Sequence, residues 1–322
     1  MKTAHRADLL LAVAALVLML GANALVNRED TAAAATDRLL AERPGMRLYA
    51  PAVLPAGESR AFDRETLNQG LLLYVGGDCP LPEDMPVPQA RNARKLVGLY
   101  VPTAPEVNLS EETIYALCGL VGENPLLKTW VMTGMRAPEE QAAMQQTAFA
   151  AYQATMPLAQ ALARATVDVP DSGFSEHQLA TAFDVRLDGP QDWSREDPMA
   201  RTEDGRWLLE NAWRYGFIRR YPPQKAEITG VGNEGTHWRY VGRVHAAVMR
   251  AGDWCLEEYL DALAAHGALR LEREGMDTVW VIWVDMGAEG AAFCLPAGAE
   301  AQASADNRGG AVCAFTLPAD GE

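Results

Sequence analysis

The amino-acid sequence predicts an α+β fold, in which a small, mainly antiparallel sheet is flanked by helices and followed by a small β-rich appendage. The composition is that of an ordinary globular protein, with 49% hydrophobic and 22% charged residues. Short apolar runs typical of strands occur among longer segments that carry the capping residues of helices. The 322 residues suffice for one domain with appendages or for two small domains.

The first segment, residues 1–26, has the pattern of an export signal. Lys2 and Arg6 precede an uninterrupted apolar run over residues 9–20, which is typical of a secretion signal, and the wider apolar stretch approaches the length of a spanning helix. Cleavage at Ala22-Asn23-Ala24 and retention as a membrane anchor both remain open. Both predict an extracytoplasmic protein, secreted or anchored to the cell membrane, because the flanking basic residues stay inside.

Three further segments complete the predicted organisation. Residues 27–64 are expected to form a stalk or linker that is helical over 27–45, residues 65–265 the main domain, and residues 266–322 the β-rich appendage. Strands are predicted at 71–75, 96–101, 128–132, around 183–185, within 234–240, at 278–284 and at 311–317. Helices are predicted to begin at Ser110 and to span 138–165, 201–215 and 255–266.

Capping residues and periodicity justify these elements. Ser110 precedes two acidic residues, as helix N-caps do, and Gly216 follows the helix 201–215 as a C-terminal cap. The Met and Ala residues of the helix 138–165 are expected to pack in the core. Trp280 and Trp283 stand three apart in one strand, which predicts that they lie on opposite faces.

The charge and the cysteines exclude some classes of protein. A net charge of −15 without a dense basic patch argues against a nucleic-acid partner. A monomer is expected. No Cys-x-x-Cys pair occurs among the five cysteines, which argues against a thiolate metal site. Two alternatives remain for the cysteines: a disulfide between Cys294 and Cys313, or reduced and buried thiols.

Two of the five histidines lie in dense polar segments. His177 stands seven residues before Asp184, and Glu234 stands three before His237. A loop residue and a residue of the following strand can converge at the first spacing, and a bend at Gly235 would point both residues of the second pair inward. Imidazole nitrogens and carboxylate oxygens bind zinc, and three protein ligands leave a fourth position for water.

In this hypothesis, Glu234 is the neighbouring carboxylate that takes a proton from the water. Taken alone, each fragment is more typical of a surface pair or of a hydrogen-bonded core pair than of a metal site. His245 and His266 have no partner pattern and are expected at the surface.

The ordered blocks around these residues resemble the VanY-type zinc D-alanyl-D-alanine carboxypeptidases, which are LAS-group peptidoglycan peptidases. The resemblance covers about residues 65–265. It is carried by Ser175, His177, Ala182 and Asp184; by Glu234, His237, Trp238, Arg239 and Tyr240; by Tyr215-Gly216-Phe217-Ile218 and Arg220-Tyr221-Pro222; and by the turn Thr133-Gly134-Met135-Arg136 with Gln141.

This resemblance implies one Zn²⁺ per chain, bound by His177, Asp184 and His237, with Glu234 as general base. It implies that Arg136 stabilises the oxyanion. Contacts with the substrate are expected from Ser175, Gln141 and Trp238. The implied activity is a metallopeptidase that removes the terminal D-Ala from peptidoglycan stem peptides, by attack of water activated at the zinc.

Alternatives are a D,D-dipeptidase or endopeptidase of the same fold, or a catalytically inactive zinc-containing module that binds the cell wall. Three departures from the family pattern border the site: Ala180 in place of Gly, Met135 in place of Tyr, and Gly235-Thr236 in place of Pro-Trp. They affect the expected fit of the substrate, whereas the ligands and the base are retained.

Overall fold

A computed structural model describes residues 36–77, 79–96, 103–187, 197–232 and 234–319. The predicted signal or anchor over residues 1–26 lies outside these ranges, as does most of the strand predicted at 96–101. Across the described ranges, no helix combines the length and apolar character needed to cross a bilayer.

The described chain contains both strands and helices. The strands are β1 (Arg38–Arg43), β2 (Met46–Ala50), β3 (Glu58–Asp63), β4 (Arg91–Asn92), β5 (Asn108–Leu109), β6 (Trp130–Thr133), β7 (Ala182–Arg186), β8 (Phe217–Arg219), β9 (His237–Tyr240), β10 (Ala268–Arg273), β11 (Met276–Asp285), β12 (Gly290–Leu295), β13 (Gln302–Ala305) and β14 (Gly310–Leu317). The longer helices span Glu111–Glu123, Pro138–Gln153, Leu158–Asp168, Glu203–Asn211, Arg243–Gly252 and Leu256–His266. Shorter helices span Arg64–Asn68, Ala93–Leu96, Pro198–Arg201 and Ala226–Thr229.

A four-stranded antiparallel sheet with the order β6-β7-β9-β8 lies in the middle of the chain. One of its faces carries Phe183 and Val185 from β7 and Trp238 and Tyr240 from β9, which pack in a core cluster with the helix Glu111–Glu123. This arrangement confirms the predicted α+β fold with a small antiparallel sheet flanked by helices. The opposite face of this sheet carries polar side chains, among them Asp184 and His237.

The largest sheet joins the two ends of the described chain. Its order is β1-β2-β10-β11-β14-β13, and its strand pairs are antiparallel. Val279 and Val281 pack against the helices Arg243–Gly252 and Leu256–His266. Trp280 packs in a different cluster on the other face, and Trp283 packs against the first, so the predicted opposite orientation of the two tryptophans is confirmed.

The helical stalk predicted for residues 27–45 is wrong where the structure describes it. Residues 38–43 form β1, which pairs with β2, and β2 pairs in turn with β10. The C-terminal strands therefore share one sheet with residues that the sequence assigned to a linker. The local sequence favoured a helix, but pairing with a strand more than 200 residues away decides the conformation.

The single helix predicted over 138–165 is also wrong. Two helices, Pro138–Gln153 and Leu158–Asp168, are separated at Pro157, which has no N–H to donate and disfavours helical backbone in the preceding residue. The expected core face of Met and Ala is absent from the first helix. Its buried side chains are Gln141 and Gln145, whereas Met144 is 42% exposed.

Helix ends followed the sequence signals closely. The Ser110 side chain accepts a hydrogen bond from the Thr113 N–H at 3.2 Å and caps the helix Glu111–Glu123, as predicted. Gly216 has φ +89° and ends the 3-10 turn that follows the helix Glu203–Asn211, which confirms its predicted role. A Cβ there would stand 2.6 Å from the Tyr240 ring, so glycine is required.

Three further predictions are corrected. Residues 71–75 form a mostly buried loop instead of a strand. Cys294 is exposed on β12 and Cys313 is buried on β14, and both are free thiols. His245, predicted at the surface, is buried. It lies on the apolar face of its helix, and its Nδ1 lies within hydrogen-bonding distance of the Tyr259 hydroxyl, at 2.7 Å.

Candidate metal centre and active site

The polar face of the four-stranded sheet brings two predicted ligands side by side. Asp184 on β7 and His237 on β9 are register partners in the antiparallel pair. Opposite residues on one face hold their side chains a few ångströms apart, and here the His237 Nδ1 lies 2.9 Å from Asp184 Oδ1. Their neighbours Phe183 and Trp238 point to the other face, into the core.

The third predicted ligand comes from a 3-10 turn, Glu176–Leu179, just before β7. Its His177 Nε2 lies 3.2 Å from Asp184 Oδ2. One donor atom each from His177, Asp184 and His237 lie within 4.8 Å of one another. Ala180 ends the turn with φ +58°, the left-handed conformation that favours glycine. The chain thus tolerates the Cβ at this position, at a cost in backbone energy.

Hydrogen bonds determine which imidazole nitrogens face the common point. His177 Nδ1 lies 2.7 Å from the Gly134 carbonyl, to which it donates, so its Nε2 presents a lone pair. His237 Nε2 lies 3.3 Å from Glu176 Oε2, which accepts its hydrogen, so Nδ1 would present a lone pair once a metal displaces the proton that it shares with Asp184. A carbonyl and a carboxylate behind the ligands are the usual partners of metal-binding histidines. Two imidazoles and a carboxylate fit a zinc ion.

Charges around this point are tightly coupled. Burial lowers the pKa of His177, which favours the neutral, metal-binding form. Burial alone would raise the pKa of Asp184, but hydrogen bonds with His177 and His237 hold it well below its usual range. Burial also opposes the charged form of His237, but hydrogen bonds to Asp184 and Glu176 outweigh it and raise the pKa of His237 to about 9. The centre therefore favours a positive charge.

Glu234 reaches the same cavity from the turn before β9. The His237 N–H donates to the Glu234 carbonyl at 3.0 Å, and this turn passes through Gly235, as the sequence predicted. Glu234 lines a cavity of about 340 Å³ together with the three ligand residues. Burial raises the pKa of Glu234, which moves a carboxylate towards the range useful for a general base.

Arg136 lies at the edge of this cavity. Its backbone N–H donates to the His177 carbonyl at 3.1 Å. Its Nη2 lies 3.6 Å from Asp184 Oδ2, and its Nη1 donates to Gln141 Oε1 at 2.9 Å. A fixed guanidinium at this place can stabilise negative charge that develops on a substrate oxygen.

Two of the predicted substrate contacts are wrong, whereas Ser175 lines the cavity. Gln141 is fully buried, and its amide joins Arg136 to the Pro170 carbonyl, so it supports Arg136 from behind. Trp238 is 3% exposed and packs in the core, because the residue after His237 in a strand points to the opposite face.

The sequence reasoning missed three residues of the site. Glu176 lies behind His237, the Tyr221 ring stacks on the His237 ring with centroids 5.3 Å apart, and the Thr133 hydroxyl donates to Asp184 Oδ2 at 2.5 Å. Of the three, only Glu176 could have been suspected from the sequence, because it stands next to the predicted ligand His177. Thr133 lies beside Asp184 because β6 pairs with β7.

The fold and the donor set define an α+β protein with a His-Asp-His centre, and comparisons with known proteins extend this. Residues 124–243 match the model of VanY, D-alanyl-D-alanine carboxypeptidase. A D-alanyl-D-alanine carboxypeptidase of Enterococcus faecalis is 45% identical over 132 residues, which is 41% of this chain and 47% of that protein. One of Enterococcus faecium is 29% identical over 226 residues, which is 68% of this chain and 66% of that protein.

Over its middle part, residues 124–243, the chain is similar to the VanY-type carboxypeptidases. It spans about half to two thirds of the length of these two relatives. Among solved structures, the vancomycin resistance D,D-dipeptidase VanXYg in complex with a D-Ala-D-Ala phosphinate analogue superposes with a TM-score of 0.67 at 22% identity. That match covers 82% of this chain and 100% of the other, and it shows a shared fold.

Proposed function

We propose that this protein is a zinc-dependent D-alanyl-D-alanine carboxypeptidase that removes the terminal D-Ala from peptidoglycan stem peptides. The observation that carries the proposal is the convergence of His177, Asp184 and His237 with Glu234 and Arg136 around one cavity. Similarity to the VanY-type D-alanyl-D-alanine carboxypeptidases over residues 124–243 supports the substrate class. A module that only binds zinc would need the three ligands but no buried carboxylate beside them.

The residues of this chain divide the reaction between them. His177, Asp184 and His237 would hold one Zn²⁺, which when bound lowers the pKa of water to about 7 and polarises a carbonyl. Glu234 accepts the proton of the water that adds to the peptide carbonyl. Its carboxyl group then gives a proton to the nitrogen of the leaving D-Ala as the C–N bond breaks.

Arg136 stabilises the negative charge on the former carbonyl oxygen. Its guanidinium is held from two sides, by Gln141 and by Asp184, so little reorganisation accompanies the reaction. Apolar residues at the same cavity, including Phe174 and Val169, fit the small methyl side chains of the terminal D-Ala pair.

We also propose that the reaction takes place outside the cytoplasm. The support is the signal-like or anchor-like pattern of residues 1–26 and the location of peptidoglycan itself. Separation of cells into cytoplasm, membrane and medium, followed by immunodetection of the chain, tests this. A cytoplasmic location of the mature protein would contradict it.

A substrate panel tests the proposed activity. The full chain, loaded with zinc, is incubated with a stem pentapeptide that ends in D-Ala-D-Ala, with a tetrapeptide that ends in one D-Ala, with free D-Ala-D-Ala and with a cross-linked dimer of stem peptides. The expected result is release of free D-Ala from the pentapeptide, its loss on addition of a chelator, and its return with zinc.

The other substrates distinguish the alternatives. Preferential hydrolysis of free D-Ala-D-Ala would make the protein a dipeptidase, and cleavage of the cross-link would make it an endopeptidase. If no peptide is cleaved at full zinc occupancy, the proposal of an enzyme is wrong.

A further inference from the structure

Four charged side chains are buried together behind His237. Arg220 Nε donates to Glu176 Oε1 at 2.7 Å, and its two Nη atoms donate to the Glu257 carboxylate at 2.8 and 3.0 Å. Arg239 Nη1 donates to the same Glu176 Oε1 at 2.6 Å. The side chains of Glu176, Arg220 and Arg239 are at most 1% exposed. Two acids and two bases balance in charge, as a buried cluster must.

The two oxygens of Glu176 have different partners. Both arginines use Oε1, whereas Oε2 lies 3.3 Å from His237 Nε2. A carboxylate oxygen only accepts, so His237 Nε2 donates its hydrogen to Glu176 Oε2, and Nδ1, 2.9 Å from Asp184 Oδ1, is the nitrogen that faces the other ligand residues. A carboxylate in this position orients the imidazole ring and selects its tautomer.

We infer that Glu176 is the positioning residue of the metal centre: it holds the His237 ring so that Nδ1 faces His177 and Asp184, where a metal would bind. This inference rests on the proposed zinc site. Arg220 and Arg239 hold the Glu176 carboxylate in turn, so its second oxygen stays within hydrogen-bonding distance of His237 Nε2.

The same contacts connect the metal centre to the six-stranded sheet. Arg239 Nη2 donates to the carbonyls of Leu71 and Leu73 at 2.8 and 2.7 Å. This loop is fastened to the C-terminal strands, because the Leu72 N–H donates to Ser304 Oγ at 3.0 Å and the Tyr74 N–H to the Asp306 carbonyl at 3.0 Å. The predicted β appendage thus supports the ligand residue His237 through four successive contacts: with the loop, from the loop to Arg239, from Arg239 to Glu176, and from Glu176 to His237.

The test is Glu176→Gln in the full chain, with the zinc dissociation constant measured by competition with a chromophoric chelator. Glutamine keeps the volume, but its amide can donate to His237 Nε2 and so favour the wrong tautomer. The dissociation constant is expected to rise about 10- to 100-fold. Glu272→Gln, which removes an exposed partner of Arg270 on β10, is the matched control and should change it less than about threefold.

A second variant separates positioning from folding. Glu176→Gln leaves one uncompensated positive charge in the cluster, whereas Glu176→Gln combined with Arg239→Met restores the charge balance. The double variant should regain stability against urea while its zinc affinity stays low. Wild-type zinc affinity in a folded Glu176→Gln protein would overturn the inference, and so would recovery of zinc affinity in the double variant.

The wild-type protein offers a measurement that needs no variant. In the zinc-loaded chain with ¹⁵N-labelled histidine, His237 should show a slowly exchanging proton on Nε2, assigned through its contacts with the stacked Tyr221 ring. A proton on Nδ1, or no protected proton, would overturn the inference. Neither this spectrum nor the zinc affinity depends on a peptide substrate, so failure to release D-Ala would count against the proposed function alone.

Discussion

The four-stranded sheet β6-β7-β9-β8 and the six-stranded sheet that ends in β1 and β13 distribute charge in opposite ways. On the smaller sheet, Asp184, His237 and Arg239 share a face with buried charged partners. On the larger sheet, alternate side chains of β11 enter two apolar clusters, one on each face. One face of the smaller sheet carries polar and charged side chains of the reactive centre in place of apolar ones. The larger sheet buries apolar side chains on both faces and contributes much of the hydrophobic burial that stabilises the chain.

The largest effect is expected from Glu234→Gln on the polar face of the site. Turnover should fall about 10²- to 10⁴-fold, because the base that accepts the proton is lost. The rate of D-Ala release and the zinc content, measured on the same preparation, check this. Glu227→Gln, at an exposed position, is the control. Turnover close to wild type at full zinc occupancy would mean that the base is misassigned.

A cavity in the larger sheet should affect stability and leave the chemistry intact. Leu271→Ala removes a fully buried side chain of β10, and the free energy of unfolding should fall by about 2–5 kcal/mol. Urea denaturation measures this loss, with Leu39→Ala, at a 48% exposed position of β1, as the control. A fall in kcat of the folded Leu271→Ala protein would show that the contacts between the six-stranded sheet and the metal centre transmit a packing change at β10 to the site.

Arg136→Lys tests the fixed guanidinium. Lysine keeps the charge but cannot contact Gln141 and Asp184 with two separate nitrogens at once, so kcat should fall about 10²-fold with zinc affinity unchanged. Steady-state kinetics and zinc titration measure the two quantities. Arg186→Lys, at an exposed position of β7, should have no such effect. An unchanged kcat in Arg136→Lys would mean that Arg136 has only a structural role.

His245 gives the apolar interior a pH dependence of its own. Burial lowers the pKa of His245 to about 3, against about 6.5 in an unfolded chain. Between these values the unfolded state binds the extra proton, so folding stability falls as the pH falls. At pH 5 the loss is about 2 kcal/mol relative to neutral pH.

His245→Gln should remove this contribution, since glutamine does not titrate. Urea denaturation at pH 7 and pH 5 measures the difference for both proteins. An identical loss of stability in wild type and variant would show that His245 does not cause it.

The smallest effect is expected at the turn that carries His177. Ala180→Gly relieves a left-handed backbone at φ +58°, and the free energy of unfolding should rise by about 0.5–1 kcal/mol. Ala182→Gly, two residues further on in β7, should lower it instead, because the strand loses a buried side chain. Thermal denaturation measures the stability of both variants against the wild type. A loss of stability in Ala180→Gly would contradict this account of the turn.

Local signals in the sequence predicted local structure well. Ser110 and Gly216 mark helix ends because their preferences act within a few residues. The convergence of His177, Asp184 and His237 was also predicted, although spacing alone favoured an ordinary surface or core pair over a metal site. The ordered motif blocks supplied what spacing could not.

Features that depend on distant pairing were not predictable. Residues 38–50 become strands because β2 pairs with β10, and nothing near them in the sequence specifies that partner. The burial of His245 was not predictable for the same reason, because it depends on contact with Tyr259 in the next helix. Trp238 was placed at the cavity by resemblance, whereas the alternation of β9 around His237 already sends it to the core.

Titration of the metal-free chain with zinc tests the central claim most directly. D-Ala release from a stem pentapeptide should be absent without zinc, rise in proportion to the zinc added, and reach its maximum at about one equivalent, since the site offers one set of three ligands. Full activity of the metal-free chain in the presence of a chelator would contradict the account, and so would a fully loaded chain that releases no D-Ala.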